Sequence, residues 1–134
     1  MKQAIIDTDT ISYFFRNEKV VVEKVDYYLK EFGQINVSVV TYYEILNGLY
    51  YKDAKKQLAK FEAFIELNTV LPITDGIARN SAKIYAKLRS KGVTIGHNDV
   101  LIAGTAIQHD MKLITNNTKH FGNIDELLID NWTL

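Results

Sequence analysis

The chain has 134 residues, 47% of them hydrophobic, with 16 Lys and Arg set against 16 Asp and Glu and no cysteine. That length suits one domain over residues 1–134 with its own core, and the apolar share excludes a disordered chain. Zero net charge excludes nucleic-acid binding by bulk charge, and the lack of cysteine excludes a disulfide framework or a thiolate metal centre.

Ala4-Ile5-Ile6 reads as a short buried strand that stops at the polar turn Asp7-Thr8-Asp9-Thr10. Residues Met1 to Asp7 are too few and too soon acidic for a signal peptide, and the apolar runs fall far short of a membrane span. A cytoplasmic protein without membrane attachment is therefore expected. Val21, Val25, Tyr28, Leu29 and Phe32 recur at helical spacing, with Gly33 as the stop. Ile35 to Val39 is a second strand, rich in β-branched residues. Thr41 then opens a helix, with Thr41 and Glu44 in the two positions of a capping box. Leu58, Phe61 and Ile65 mark another helix. Val70-Leu71-Pro72-Ile73 is a third strand, placed by its proline at a sheet edge or a strand end. Ile77, Ser81, Ile84, Tyr85 and Leu88 line a helix that closes at Gly92. Asn98-Asp99 begins the next, which carries Ile102, Ala103, Ala106 and Ile107. Lys112-Leu113-Ile114 is a fourth strand running into Thr115-Asn116-Asn117-Thr118, and Leu127 to Ile129 is a candidate fifth. Strands alternate with helices throughout, which predicts an α/β/α sandwich around a mainly parallel sheet.

In open parallel sheets, ligands sit beyond the carboxyl ends of the strands. Asp7 and Asn117 fall at such ends, Glu44 lies one turn into a helix that follows a strand, and Asp99 starts a helix. Each also has a structural role open to it. Glu44 suits the capping box, Asp99 the positive end of a helix dipole, Asp7 and Asp9 a turn, and Asn117 an Asx turn. Taken together, Asp7, Glu44 and Asp99 form an oxygen-only set without Cys or a histidine pair. Such a set suits a hard cation, Mg²⁺ or Mn²⁺. Thr115 is placed either to hydrogen-bond an acid or to close the strand-end turn.

Four segments carry a family resemblance, in order and over nearly the whole chain. They are Ile5-Ile6-Asp7-Thr8-Asp9-Thr10-Ile11-Ser12, Glu44-Ile45-Leu46-Asn47-Gly48-Leu49, Ile95-Gly96-His97-Asn98-Asp99-Val100-Leu101-Ile102-Ala103-Gly104-Thr105-Ala106 and Leu113-Ile114-Thr115-Asn116-Asn117-Thr118-Lys119-His120-Phe121, with Asn131-Trp132 near the end. Together they resemble the VapC branch of PIN-domain proteins. The resemblance implies an Mg²⁺- or Mn²⁺-dependent endoribonuclease, the toxin half of a type II toxin–antitoxin pair. It further implies a structured RNA such as tRNA or rRNA as substrate, a homodimer, and inhibition by a VapB-like antitoxin. It makes Asp7, Glu44 and Asp99 the metal-binding acids. Asn117 stands where some relatives carry a fourth acid and supplies no charge. Metal-activated water predicts products with a 5′-phosphate and a 3′-hydroxyl.

Lys52, Lys55, Lys56 and Lys60, or Lys83, Lys87, Arg89 and Lys91, can grip phosphates or simply face solvent. Tyr42, Tyr43, Tyr50 and Tyr51 divide between core packing and contacts to bases or a partner. His97, His109 and His120 do not read as an acid–base pair, and His97 reads as a solvent-facing loop residue. Two rival readings remain. One is a haloacid-dehalogenase-like phosphatase starting at Asp7-Thr8-Asp9, and the other is a PIN fold used only for binding.

Overall fold

A computed structural model of the chain describes residues 2–134. Five short strands form one sheet: β1 (Ala4–Ile6), β2 (Asn36–Ser38), β3 (Thr69–Leu71), β4 (Lys112–Ile114) and β5 (Ile129–Asp130). Their order is β3-β2-β1-β4-β5, and every pairing is parallel. Seven helices connect them: α1 (Thr8–Phe15), α2 (Lys19–Phe32), α3 (Val39–Tyr51), α4 (Lys55–Glu66), α5 (Asp75–Ser90), α6 (His97–Gln108) and α7 (Thr118–Phe121).

Successive strand side chains point to opposite faces, so each strand feeds two cores. Ile5 and Leu113 join Leu88, Val100, Ile102 and Phe121 on the face covered by α5, α6 and α7. Ala4, Ile6 and Ile114 join Ile11, Val25, Tyr28 and Phe61 on the face covered by α1, α2 and α4. This is the expected three-layer sandwich. Gly104 lets α6 lie close on α5, because a Cβ there would run into the Ser81 hydroxyl. Gly33 ends α2 at a φ of 79°, a conformation that favours glycine.

The strand order places the active end. The chain runs outward from β1 to β2 and β3, then returns to the other side of β1 as β4. The reversal between β1 and β4 is the topological switch point, where the carboxyl ends of parallel strands leave a crevice. Asp7 follows β1 and Thr115 follows β4, so both stand at its mouth.

Several elements differ from the sequence reading. Asp7-Thr8-Asp9-Thr10 is not a turn: Asp7 is the N-cap of α1, and the helix begins at Thr8. Helix α3 begins at Val39, capped by the Ser38 hydroxyl on the Val40 amide. Thr41 is therefore already inside the helix, and no Thr41–Glu44 capping box exists. Helix α6 starts at His97 behind Gly96, one residue before the Asn98-Asp99 start read from the sequence. The third strand stops at Leu71, just short of Pro72, on the edge of the sheet as its proline suggested. The fifth is Ile129–Asp130, set by pairing to Leu113 and Ile114 rather than by the apolar run before it. The turn of helix α7 had no apolar repeat long enough to announce it.

Candidate active site

Asp7 caps α1 and is buried at 6% exposure. Its Oδ1 accepts the Thr8 amide at 2.8 Å, and its Oδ2 accepts the Thr115 hydroxyl at 2.8 Å across the switch point. The same hydroxyl oxygen accepts the Asn117 amide at 3.0 Å, which fixes the loop after β4. Burial is the main reason that the Asp7 carboxyl is pushed up to about 7, with the charge of Asp9 next and Asp99 adding less. The two hydrogen bonds from Thr115 and Thr8 act in the opposite direction.

Glu44 reaches the crevice from the second turn of α3. Its Oε1 accepts the Thr8 hydroxyl at 2.6 Å, and its Oε2 accepts the Asn98 amide at 3.3 Å. The Thr8 and Thr41 hydroxyls lie 3.0 Å apart, so one threonine joins the starts of α1 and α3 to the acid. With the capping box absent, this leaves Glu44 oriented into the crevice. Asp99 enters from the first turn of α6. Its carboxyl is raised above the usual aspartate range, mostly by burial and further by Glu44 and Asp9, while His120 lowers it. Asp9 Oδ2 accepts the Asn116 amide at 3.0 Å, which ties α1 to the loop after β4.

Asp7, Glu44 and Asp99 thus share one crevice, and Asp9 belongs with them electrostatically. Asn117 does not join by contact. It is exposed, it precedes α7, and its side chain makes no capping hydrogen bond. Thr8 and His120 were missed by sequence reasoning. Thr8 gave no signal beyond standing next to Asp7. His120 Nε2 lies 3.7 Å from Asp99 Oδ2, and its only sequence cue was its place at the end of the Thr115–Phe121 segment. His97 is solvent-facing as read, but on the first residue of α6, with its ring stacked on Tyr85 at 4.7 Å.

The donor set suits a hard cation. Carboxylates crowd together, and among the described residues none of Asp7, Asp9, Glu44 and Asp99 pairs with a lysine or arginine. Among the described residues no three His, Asp or Glu are disposed to hold an ion by themselves. Mg²⁺ keeps several waters and takes only one or two carboxylates directly. The remaining acids would then reach it through water.

Beside the crevice, α1, α3 and α4 frame a groove of about 360 Å³. Phe15, Ile45, Leu49 and Phe61 line it, with Arg16, Lys52 and Lys60 among its basic residues. Of the second basic group, Lys87 is paired with Asp125 at 3.4 Å. Tyr42 packs on Phe61 and donates to Glu62 at 2.8 Å, whereas Tyr43, Tyr50 and Tyr51 face solvent.

The PIN-domain family model matches residues 4–127. "Ribonuclease VapC1" of Rickettsia felis is 35% identical over 127 residues, covering 92% of this chain and 91% of that one. The "tRNA(fMet)-specific endonuclease VapC" of Shigella flexneri is 27% identical over 134 residues, covering 99% of this chain and all of the other. Among solved structures, DNA-bound VapBC from Salmonella typhimurium superposes with a TM-score of 0.88 at 28% identity, over 98% of this chain and 99% of that one.

Proposed function

Because the chain belongs to the PIN-domain family, in its VapC branch, we propose that it is a metal-dependent endoribonuclease, the toxin of a type II toxin–antitoxin pair acting in the cytoplasm. Residues 1–134 act as one catalytic domain. The observation that carries the reading is the convergence of Asp7, Glu44 and Asp99 at the β1/β4 switch point, where burial and neighbouring acids push the Asp7 carboxyl up to about 7 and raise that of Asp99.

Asp7, Glu44 and Asp99 would hold Mg²⁺ or Mn²⁺, directly or through water. The bound ion would lower the pKa of a water and neutralise charge on the phosphate. Asp7 is fixed by Thr8 and Thr115, so its oxygens need little reorganisation on binding. Glu44 or Asp99 orients the attacking water and takes its proton. Attack by water leaves a 5′-phosphate and a 3′-hydroxyl. Asn117, at the exposed mouth, contributes a neutral carbonyl or amide toward the phosphate.

The substrate is a structured RNA such as tRNA or rRNA. The similar tRNA(fMet)-specific endonuclease VapC of Shigella flexneri supports that class. The partner is a VapB-like antitoxin, supported by the likeness to a VapBC complex, and the apolar groove on α1, α3 and α4 offers a place for one of its segments. A homodimer follows from the same reading, and the exposed Tyr43 and Tyr50 supply apolar surface for it. With the family match, the phosphatase reading has no observation in its favour.

Induced expression without antitoxin should arrest growth, and Asp7→Ala should relieve the arrest while leaving a folded, soluble protein. Arrest that survives Asp7→Ala would overturn the proposal.

A further inference from the structure

One buried polar atom in the crevice lacks a partner, and it faces a carboxylate. The carboxylates of Asp7, Asp9 and Glu44 each accept two hydrogen bonds. Asp99 differs: among the described residues its partly exposed carboxylate has His120 as its charged neighbour. His120 Nε2 is shielded from water and has no hydrogen-bond partner among the described residues. The two lie 3.7 Å apart, Nε2 to Oδ2. That is too long for a hydrogen bond but within one small side-chain adjustment of it. Catalytic hydrogen bonds are often long in the empty site and tighten when the site is filled. The buried Nε2, which has no other partner, gains from closing that gap onto the partly exposed carboxylate.

Local structure holds the histidine there. Phe121 is fully buried and anchors α7 in the core, with the His120 ring 6.1 Å from it. The rest of the loop cannot do the same work. The Asn117 side chain is exposed, and the Thr115 hydroxyl is committed to Asp7.

We propose that His120 is a positioning residue: its Nε2–H donates to Asp99 and fixes that carboxylate for the cation. The assignment rests on the metal-dependent nuclease proposed above. Groups that orient a ligand from behind change metal affinity by about 10- to 100-fold when removed. His120 touches neither RNA nor the ion in this role, so its loss lowers kcat with little change in KM.

The test is Mn²⁺ binding to the RNA-free protein, read from the EPR signal of free Mn²⁺, for the parent, His120→Leu, His120→Gln and Asp7→Asn. Melting temperature in chelator checks the fold of each. His120→Leu should weaken binding by about 10- to 100-fold. His120→Gln keeps an N–H donor of similar reach and should stay within about threefold of the parent, less than the loss of an orienting group brings. If His120→Leu fails to fold, His120→Asn replaces it, since its shorter amide cannot reach Asp99, and the same weakening is expected. Parental affinity in His120→Leu would overturn the assignment, as would a Gln variant as weak as the Leu one. Coupling of Mn²⁺ to ¹⁴N in the pulsed EPR spectrum would also overturn it, because the imidazole would then be a ligand. A parent that binds no Mn²⁺ overturns the nuclease reading and this one with it. A parent that binds, loses binding in Asp7→Asn and ignores His120→Leu overturns only the role of His120.

Discussion

Replacing Asp7 by Asn should make the metal-free protein more stable at alkaline pH while destroying its activity. The Asp7 carboxyl is raised from 3.8 to about 7, chiefly by burial. A group whose folded pKa lies above its unfolded value binds more protons when folded. Stability contributed by the neutral form is therefore present below pH 4 and is lost as pH climbs to about 7. A shift of that size corresponds to about 4 kcal/mol at pH 8, of which between about 2 and 3 kcal/mol is lost between pH 5 and pH 8. Asn has no charge to desolvate. Its oxygen can still accept the Thr8 amide, and its NH₂ can donate to the Thr115 oxygen, which leaves one hydroxyl proton to re-pair at a cost of about 1 kcal/mol. The net gain at pH 8 is about 3 kcal/mol, or about 10 °C in melting temperature for a domain of this length. Thermal or urea melts of both proteins in chelator at pH 5 and pH 8 measure it directly. Adding Mn²⁺ should reverse the order, because only the parent gains RT ln(1 + [L]/Kd). A variant less stable than the parent at pH 8 in chelator, or a parent–variant difference independent of pH, would refute the reasoning.

Three further substitutions probe the other groups. Glu44→Gln keeps an oxygen for the Thr8 hydroxyl, so the melting temperature should hold within about 3 °C, as for a change of under about 1 kcal/mol, while RNA cleavage falls by roughly 10- to 1000-fold; full activity would return Glu44 to a structural role. Thr115→Val removes a hydrogen bond that favours the charged form of Asp7 and should raise that carboxyl further. Its Mn²⁺ affinity should therefore fall below the parent's at pH 6 to 7 and recover toward it at pH 8, and a deficit that does not change with pH would contradict this cause. Asn117→Asp adds a charge at an exposed position, where screening keeps the effect small. Mn²⁺ titrations should show tightening of less than about tenfold, in keeping with an exposed pair worth at most about 1 kcal/mol; a larger gain would place residue 117 against the ion itself.

The sandwich was legible because its strands are short apolar runs and its long helices carry repeats such as Val21, Val25 and Tyr28. Those repeats bury on one face of the sheet, and the pattern records it. The boundaries were less legible, because caps and pairing set them. Ser38 caps α3 three residues earlier than the Thr41 cap suggested, and β5 follows its pairing with β4 rather than the Leu127-Leu128 run. Spacing alone left Asp7, Glu44 and Asp99 open to structural readings, and the family motifs named them. The sequence could not announce that Thr8 ties Glu44 to the start of α1. Nor could it show that α7 turns His120 back toward Asp99. Both depend on side chains that meet only after the crossovers close, from residues 36 and 21 positions apart respectively.

The central claim is tested most directly by RNA cleavage with the purified protein in Mg²⁺ and after exhaustive chelation, with the ends of the products determined and Asp7→Asn run beside it. Cleavage that requires the cation, leaves 5′-phosphate and 3′-hydroxyl ends and disappears in Asp7→Asn is the predicted result. Cleavage undiminished by chelation, or products ending in 2′,3′-cyclic phosphate, would contradict it.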